Sequence, residues 1–227
     1  MSNAPALGSK DNPGYVKITN TPELQHAYST VAHPHSKGFI YNGTMKPSIA
    51  DKYKSEGYTF CMRNLNQSDG SSQYIPLTAQ ETNRITGTND QHGYELALMP
   101  VYILDSSALT NKTTSGNTAP TPSAVAADVL SALSTAAIPI GTTVWLQLTK
   151  ADKGVTSDQI QAIEHQIFQS GYSVGILGDE VQQQQQTNAR VLESTYTPFE
   201  QSGSGAKVRT ITIGDNTGSF PIYWAVQ

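Results

Sequence analysis

The alternation of apolar and polar positions is most regular over residues 141–178, where it predicts a strand, a helix and a second strand. Residues 143–149 are rich in β-branched and aromatic side chains, which is typical of a buried strand. Thr156 and Gln159 form a capping-box pattern that predicts the start of a helix, and Gly171 predicts its end. The apolar face of this helix is expected to lie on the sheet and consists of Ile160, Ile163, Ile167 and Phe168.

A second strand is predicted at residues 172–177, directly after this helix. A helical crossover between neighbouring strands implies that the two strands are parallel. The same order of elements recurs along the chain, with further strands predicted at residues 38–42, 58–63, 94–104, 189–195, 208–213 and 221–226. Further helices are predicted at residues 22–31, 47–56, 78–87, 122–138 and 179–188.

Eight strands that alternate with helices predict an α/β fold, a (β/α)8 barrel of the TIM type. The connections between the last strands are too short for full helices, so the outer helix ring is expected to be incomplete. The predicted domain organisation is an N-terminal arm over residues 1–37 and a single barrel domain over residues 38–227. A chain of 227 residues, 37% of them hydrophobic, is long enough for one large core of this kind.

Charge and cysteine content narrow the classes of partner. The formal net charge is −4 and Lys and Arg form no cluster, which argues against binding to nucleic acid or to an anionic membrane. No apolar run approaches the ~20 residues of a membrane-spanning helix, and the first residues lack the pattern of a signal peptide. Cys61 is the single cysteine, so the location can be cytoplasmic or exported. The charged fraction of 14%, with abundant Asn, Gln, Ser and Thr, favours a secreted or cell-surface protein.

Five segments carry a resemblance to a known barrel family. They read GFI at residues 38–40, GYTFCMRNL at 57–65, LMPVYIL at 98–104, PIGTTVWLQL at 139–148 and GYSVGILGD at 171–179. In their order and character they resemble the bacterial glycoside-hydrolase-like domains of unknown function, which are relatives of the family 25 lysozymes. The resemblance implies a TIM-type barrel that binds or processes a bacterial cell-wall glycan such as peptidoglycan.

The chain departs from this family at the positions of the family's acidic residues. Ile40 stands where the first strand of the family has Asp, and Asn64 follows Arg63 where Tyr is usual. Leu148 and Lys150 occupy the positions of the acids of the fourth strand. Glycoside hydrolysis needs two carboxyl groups across the scissile bond. The resemblance therefore implies a relative of the lysozymes that lacks the usual catalytic acids. Such a protein is a pseudoenzyme or, if it is active, a lysozyme-like glycosidase with its acids elsewhere.

The carboxyl ends of the predicted strands are where a barrel of this type gathers its chemistry. Asp179 and Glu193 are carboxylates at consecutive strand ends and are the candidate catalytic acid and base. Alternatively, Asp179 caps the following helix and Glu193 pairs with a surface base. The candidate substrate-binding residues at the other strand ends are Asn42, Arg63, Tyr102, Asp105, Gln147 and Trp224.

Two of these candidates have a specific chemistry. Arg63 either binds a ligand carboxylate, such as that of muramic acid, or forms an internal salt bridge with Asp105 or Asp179. Trp224 is a candidate to stack on the apolar side of a pyranose ring, and core packing is the alternative.

No metal or cofactor is predicted. His33 and His35 lack nearby residues that would complete a metal site, and the chain has no phosphate-binding or dinucleotide-binding motif. The leading hypothesis is a glycan-binding or glycan-processing barrel. One alternative is a non-catalytic module that binds a protein partner through the polar tract at residues 105–120. Another is a hydrolase that uses Asp179 and Glu193 as a relocated acid pair.

Overall fold

The structure, a computed structural model, describes seven stretches of the chain. They are residues 29–67, 75–87, 93–104, 121–148, 156–177, 190–201 and 206–223. None of the helices in these stretches has the length and apolar character that crossing a membrane requires.

The described strands belong to one sheet, and four α-helices accompany them. The strands are β1 (Ser29–Ala32), β2 (Lys37–Tyr41), β3 (Phe60–Asn64), β4 (Ala97–Leu104), β5 (Thr143–Leu148), β6 (Ser173–Leu177), β7 (Arg190–Val191), β8 (Ser194–Tyr196), β9 (Glu200–Gln201), β10 (Lys207–Ile213) and β11 (Phe220–Tyr223). The helices are α1 (Pro47–Ser55), α2 (Ala79–Thr86), α3 (Pro122–Thr135) and α4 (Ser157–Gln169).

The helix signals read from the sequence are present in α4. The hydroxyl oxygen of Thr156 accepts from the main-chain N–H of Gln159, and the Gln159 side chain accepts from the N–H of Thr156 at 2.9 Å. This reciprocal pair fixes the first turn of the helix. Phe168 differs from the prediction, because its side chain is 69% exposed and does not lie against the sheet. The fully buried face of α4 is narrower and contains Ile160, Ile163 and Ile167.

The sheet is mixed and curls into a half-barrel, so the prediction of a (β/α)8 TIM-type barrel is wrong. The strand order is β7-β6-β5-β4-β3-β2-β10-β8, in which β2 to β7 are parallel to one another. β10 runs antiparallel to both β2 and β8. The described helices accompany the parallel strands alone, so no closed ring of helices surrounds the described strands.

The antiparallel pairing of β10 with β8 and β9 has a simple cause in the lengths of the connections. A parallel neighbour requires a crossover of a dozen residues or more, whereas an antiparallel neighbour needs only a short turn. Residues 197–206 and 214–219, the segments on either side of β10, contain no α-helix in the described part. The sequence already showed these connections to be short, and the antiparallel pairing of β10 with β8 follows from that shortness, whereas its pairing with β2 does not.

The two faces of the sheet have separate apolar cores. The outer face packs against the helices, with Phe39, Leu98 and Leu146 of the sheet meeting Val129 and Ile163 of the helices in one cluster. The inner face has a second cluster to which no helix residue belongs, and we call it the inner cluster. Its members are Ala32, Ile40, Phe60, Met62, Ala97, Met99, Val101, Trp145, Leu177, Leu192, Ile211, Ile213, Phe220 and Ile222.

The paired strands β1 and β11 help to fill the inner face near the amino ends of the parallel strands. Phe220 of β11 packs edge-on against Trp145, with ring centroids 4.8 Å apart. Gly175 of β6 lies on the same ring, and a Cβ at this position would be only 2.4 Å from it. The end of the N-terminal arm is therefore a strand of the sheet and not the end of a helix at residues 22–31, of which residues 22–28 lie outside the described part.

Candidate functional site

Arg63, a predicted substrate-binding residue, is fully buried on the outer face of the sheet at the end of β3. Its guanidinium donates to both carboxylate oxygens of Glu81 in α2, with distances of 2.8 Å from Nε and 3.0 Å from Nη2. It also donates to the main-chain oxygens of Tyr41 and Ile75 at 2.9 and 3.1 Å. This geometry is that of an internal salt bridge, with Glu81 as the acid in place of Asp105 or Asp179.

Glu81 binds together three parts of the fold around this salt bridge. The main-chain N–H of Glu81 donates to the Thr78 hydroxyl at 3.2 Å, as the helix-capping pattern predicts. Its carboxylate, however, turns to Arg63 and also accepts from the main-chain N–H of Met45 at 2.7 Å. The charges of Arg63 and Glu81 are therefore satisfied inside the protein, which is the arrangement expected of a structural pair.

Asn42, a second predicted binding residue, is buried and joins two strands. Its side-chain oxygen accepts from the main-chain N–H of Lys207 at 2.7 Å, and the main-chain N–H of Asn42 donates to the Lys207 carbonyl at 3.3 Å. The Asn42 side chain thus extends the pairing between β2 and β10 beyond the last residue of β2.

Tyr102 and Gln147 lie on opposite faces of the sheet. Tyr102 packs against the outer core, where burial and the nearby carboxylate of Asp128 raise the pKa of its phenol. Gln147 is half-buried and stands two residues beyond Trp145, so it shares the inner face with that ring. Of these two predicted binding residues, the fold brings Gln147 to the concave side of the sheet and Tyr102 to the helix side.

Glu193, a candidate catalytic residue, supports a turn in the structure. Its Oε2 accepts from the main-chain N–H of Asn216 at 3.1 Å, and its main-chain carbonyl accepts from the Thr217 hydroxyl at 3.0 Å. The preceding residue, Leu192, belongs to the inner cluster, so by alternation the Glu193 side chain does not share the inner face. The other predicted site residues, Asp105, Asp179 and Trp224, lie outside the described residues.

A layer of polar and aromatic side chains lies on the inner face at the carboxyl ends of the parallel strands, and we call this layer the mouth. Three of its members stand two residues from a member of the inner cluster in the same strand, which puts them on the same face. The fourth, an aromatic residue at the end of β8, packs directly against that cluster. The mouth consists of Asn64, Gln147, Tyr196 and Arg209.

Arg209 is the charged member of the mouth. It is half-buried near the start of β10, which runs antiparallel to β2 and therefore begins at the carboxyl ends of the parallel strands. The guanidinium carbon lies 4.3 Å from the ring centroid of Tyr196 and 4.6 Å from that of Phe199. Phe199 is 41% exposed, so part of its ring stays open to solvent. Aromatic faces attract a guanidinium in this geometry and hold it in place.

Four buried polar atoms on the inner face lack a hydrogen-bond partner among the described residues. They are Oγ1 of Thr143, Nε1 of Trp145, Oγ of Ser194 and Nε of Arg209. Ser194 stands between Leu192 and Tyr196, which both pack on the inner face. Indole and guanidinium nitrogens only donate, and a serine hydroxyl donates or accepts. Trp145 is fully buried, so its Nε1 is out of reach of a ligand, whereas the half-buried Arg209 stands at the mouth.

Acidic and metal-binding groups are lacking on the described part of this face. The inner cluster and the mouth contain no carboxylate. In the described stretches, no group of three or more His, Cys, Asp and Glu residues is arranged to hold a metal ion. His33 instead contacts the Ser219 hydroxyl at 2.8 Å, and His35 lies 3.0 Å from the carboxylate of Asp215.

The sequence contained one signal for Arg209 that the strand-end argument did not use. Residues 208–213 read VRTITI, so Arg209 occupies the same alternating phase as Ile211 and Ile213. A charged side chain in the apolar phase of a strand indicates either an internal pair or a binding group. Tyr196 and Phe199 carried no comparable signal, because their contact with Arg209 depends on the pairing of β8 with β10.

Comparison with known proteins adds information on the fold alone. The chain matches no protein-family model and no curated protein. It is similar to a solved structure of an uncharacterized protein of B. stearothermophilus, at a TM-score of 0.56 and 16% sequence identity. The similarity covers 80% of this chain and 97% of the other. At this level of identity, the two chains share an overall architecture.

Proposed function

We propose that this protein binds a bacterial cell-wall glycan at the mouth and acts as a binding module in place of a working glycosidase. The observation that carries the proposal is the mouth itself, where amide, aromatic and guanidinium groups lie above the apolar inner cluster. The resemblance of the strand segments to glycoside-hydrolase-like domains supports a glycan as the class of ligand.

The chemistry of the mouth suits a sugar. A pyranose ring has an apolar side that packs on aromatic faces and a rim of hydroxyl groups that exchange hydrogen bonds. Phe199, which borders the mouth beside Arg209, offers exposed ring surface, and the amide of Gln147 can both donate and accept. Ligand sites commonly combine an apolar floor with a few such polar groups at the open end of a barrel.

The distribution of carboxylates favours binding over hydrolysis. Glycosidases place two carboxyl groups on either side of the bond that breaks, about 5 to 9.5 Å apart. The described part of the mouth has none, and the Glu193 carboxylate is held by the N–H of Asn216. Of the pair Asp179 and Glu193, only Glu193 lies in the described part, where its carboxylate supports a turn.

The test is binding to purified peptidoglycan and to soluble chitin-type oligosaccharides, measured by sedimentation and by calorimetry. Phe199→Ala is expected to weaken binding about three- to tenfold, since one aromatic contact of this kind is lost. Phe168→Ala is the matched control, because it removes another exposed phenylalanine from α4 on the outer face. Equal binding by both variants and the unmodified protein, or an absence of binding, would contradict the proposal.

A parallel assay separates binding from catalysis. New reducing ends released from peptidoglycan are measured for the unmodified protein and for the double variant Asp179→Asn, Glu193→Gln. The proposal predicts no release by either protein under conditions in which a control lysozyme is active. Release that disappears in the double variant would identify an active glycosidase and refute the binding-only function.

A further inference from the structure

We infer that Arg209 binds a carboxylate of the ligand, so that the mouth selects acidic sugars over neutral ones. The inference rests on the proposed function and adds the chemical class of the glycan. Its starting point is the position of the guanidinium over two aromatic rings at the mouth, with a buried Nε that has no acceptor among the described residues.

The two rings determine which part of Arg209 can meet a ligand. Tyr196 and Phe199 occupy the space at the face of the guanidinium, at 4.3 and 4.6 Å. Its N–H groups point outward in the plane of the group, away from the ring faces. A carboxylate is planar and offers two oxygens that match two parallel N–H groups of an arginine. The edge of Arg209 is therefore shaped for a carboxylate.

The charge of Arg209 has no counterpart within the described part of the protein. The salt bridges there involve Arg63, Lys54 and His35, and the described mouth has no acid. A half-buried cation without a partner anion is costly to hold, whereas a bound anion would offset that cost.

The experiment compares two disaccharides that differ in one acidic group. One is N-acetylglucosaminyl-N-acetylmuramic acid with its free lactyl carboxylate, and the other is the neutral disaccharide of N-acetylglucosamine. Calorimetry on the unmodified protein is expected to show about tenfold tighter binding of the acidic disaccharide at low salt, since one charge-assisted fork is gained. The difference is expected to shrink as ionic strength rises.

Variants then assign the selectivity to the fork of Arg209. Arg209→Lys keeps the charge but loses the two parallel N–H groups, so most of the tenfold preference is expected to disappear. Arg209→Met is expected to abolish it. Lys52→Met is the matched control, because it removes another cation that lies over a tyrosine ring, on α1 of the outer face. This control is expected to keep the preference.

The outcomes distinguish the inference from the proposed function. Equal binding of the two disaccharides by the unmodified protein would overturn the inference and leave glycan binding intact. Tighter binding of N-acetylglucosamine 6-phosphate than of the muramic acid disaccharide would also overturn it, because the fork would then select phosphate. Binding of neither disaccharide, nor of peptidoglycan, would refute the proposed function itself. The comparison of ligands on the unmodified protein needs no variant to fold.

Discussion

Arg63 and Arg209 lie on two strands that flank β2, and their surroundings differ in every respect that decides their roles. Arg63 is fully buried on the outer face and binds Glu81 through both carboxylate oxygens. Arg209 is half-buried on the inner face, over two aromatic rings and without a described acid beside it. The same side chain thus completes the fold at one site, and at the other it is the group that we propose binds a ligand.

The two environments give a criterion that separates a structural arginine from one proposed to bind a ligand. A structural arginine has its donors matched by groups of its own protein, and four hydrogen bonds are recorded for Arg63. An arginine that binds a ligand is expected to be held by contacts other than hydrogen bonds, and Arg209 lies over the rings of Tyr196 and Phe199 with an Nε that has no acceptor among the described residues. Strand position alone does not make this distinction, because both residues stand near the mouth end of their strands.

The largest expected effect comes from removing the structural arginine. Arg63→Met leaves the Glu81 carboxylate buried without its cation, and breaking one side of a buried salt bridge typically costs about 3 to 5 kcal/mol of unfolding free energy. Arg209→Met is expected to cost about 1 kcal/mol, mainly from the lost contact with the rings. Denaturant unfolding of both variants measures the contrast.

A double variant tests whether the uncompensated charge of Glu81 causes the loss of stability. Arg63→Met combined with Glu81→Gln is expected to be more stable than Arg63→Met alone, because the second change removes the uncompensated charge. If Arg209→Met proves as destabilising as Arg63→Met, the distinction between a structural and a binding arginine does not hold.

A smaller effect on the unfolding free energy than that of Arg63→Met is expected at Glu164, a buried carboxylate with no arginine beside it among the described residues. Glu164 of α4 is largely buried, its Oε1 has no described hydrogen-bond partner, and burial raises the pKa of its carboxyl to about 7. The folded state thus favours the protonated acid, so its ionisation removes stability as the pH rises from about 4.5 to about 7. Below this window the group is neutral in both states and costs nothing.

Glu164→Gln removes the ionisable carboxyl and tests whether its ionisation lowers the stability of the fold. The variant is expected to gain on the order of 1 to 2 kcal/mol over the unmodified protein at pH 8, and little at pH 4. Unfolding by urea at the two pH values measures the difference. Glu164 lines a surface groove together with Asp158 and His165. Asp158→Asn therefore serves as a control for a general effect of removing negative charge from this groove. A gain at pH 4 that equals the gain at pH 8 would contradict the assigned ionisation.

Much of the parallel part of the fold was predictable because its signals are local. The capping pair of Thr156 and Gln159 and the prolines at the first turns of α1 and α3 mark helix starts within a few residues. The antiparallel part depends on which strands meet, and β10 pairs with β2 across more than 160 residues of chain. The alternation of residues 208–213 predicted a strand but carried no information on its direction.

The site was less predictable for the same reason. Glu81 fitted a helix-capping pattern, and nothing in the sequence indicated that its carboxylate would turn to Arg63, 18 positions away. Gln147 was predicted at the right strand end, since alternation after Trp145 is local. The phase of Arg209 in its strand was a local signal, but its contact with the rings of Tyr196 and Phe199 depends on the pairing of β8 with β10. Asp105, Asp179 and Trp224 remain sequence predictions.

The most direct test of glycan binding at the mouth is a crystal structure of the protein with the N-acetylglucosaminyl-N-acetylmuramic acid disaccharide. The account predicts saccharide density on the inner face beside Gln147 and Phe199, with a carboxylate oxygen about 2.7 to 2.9 Å from a nitrogen of Arg209. Saccharide bound on the helix side, or an empty mouth in crystals whose protein binds the disaccharide in solution, would contradict it.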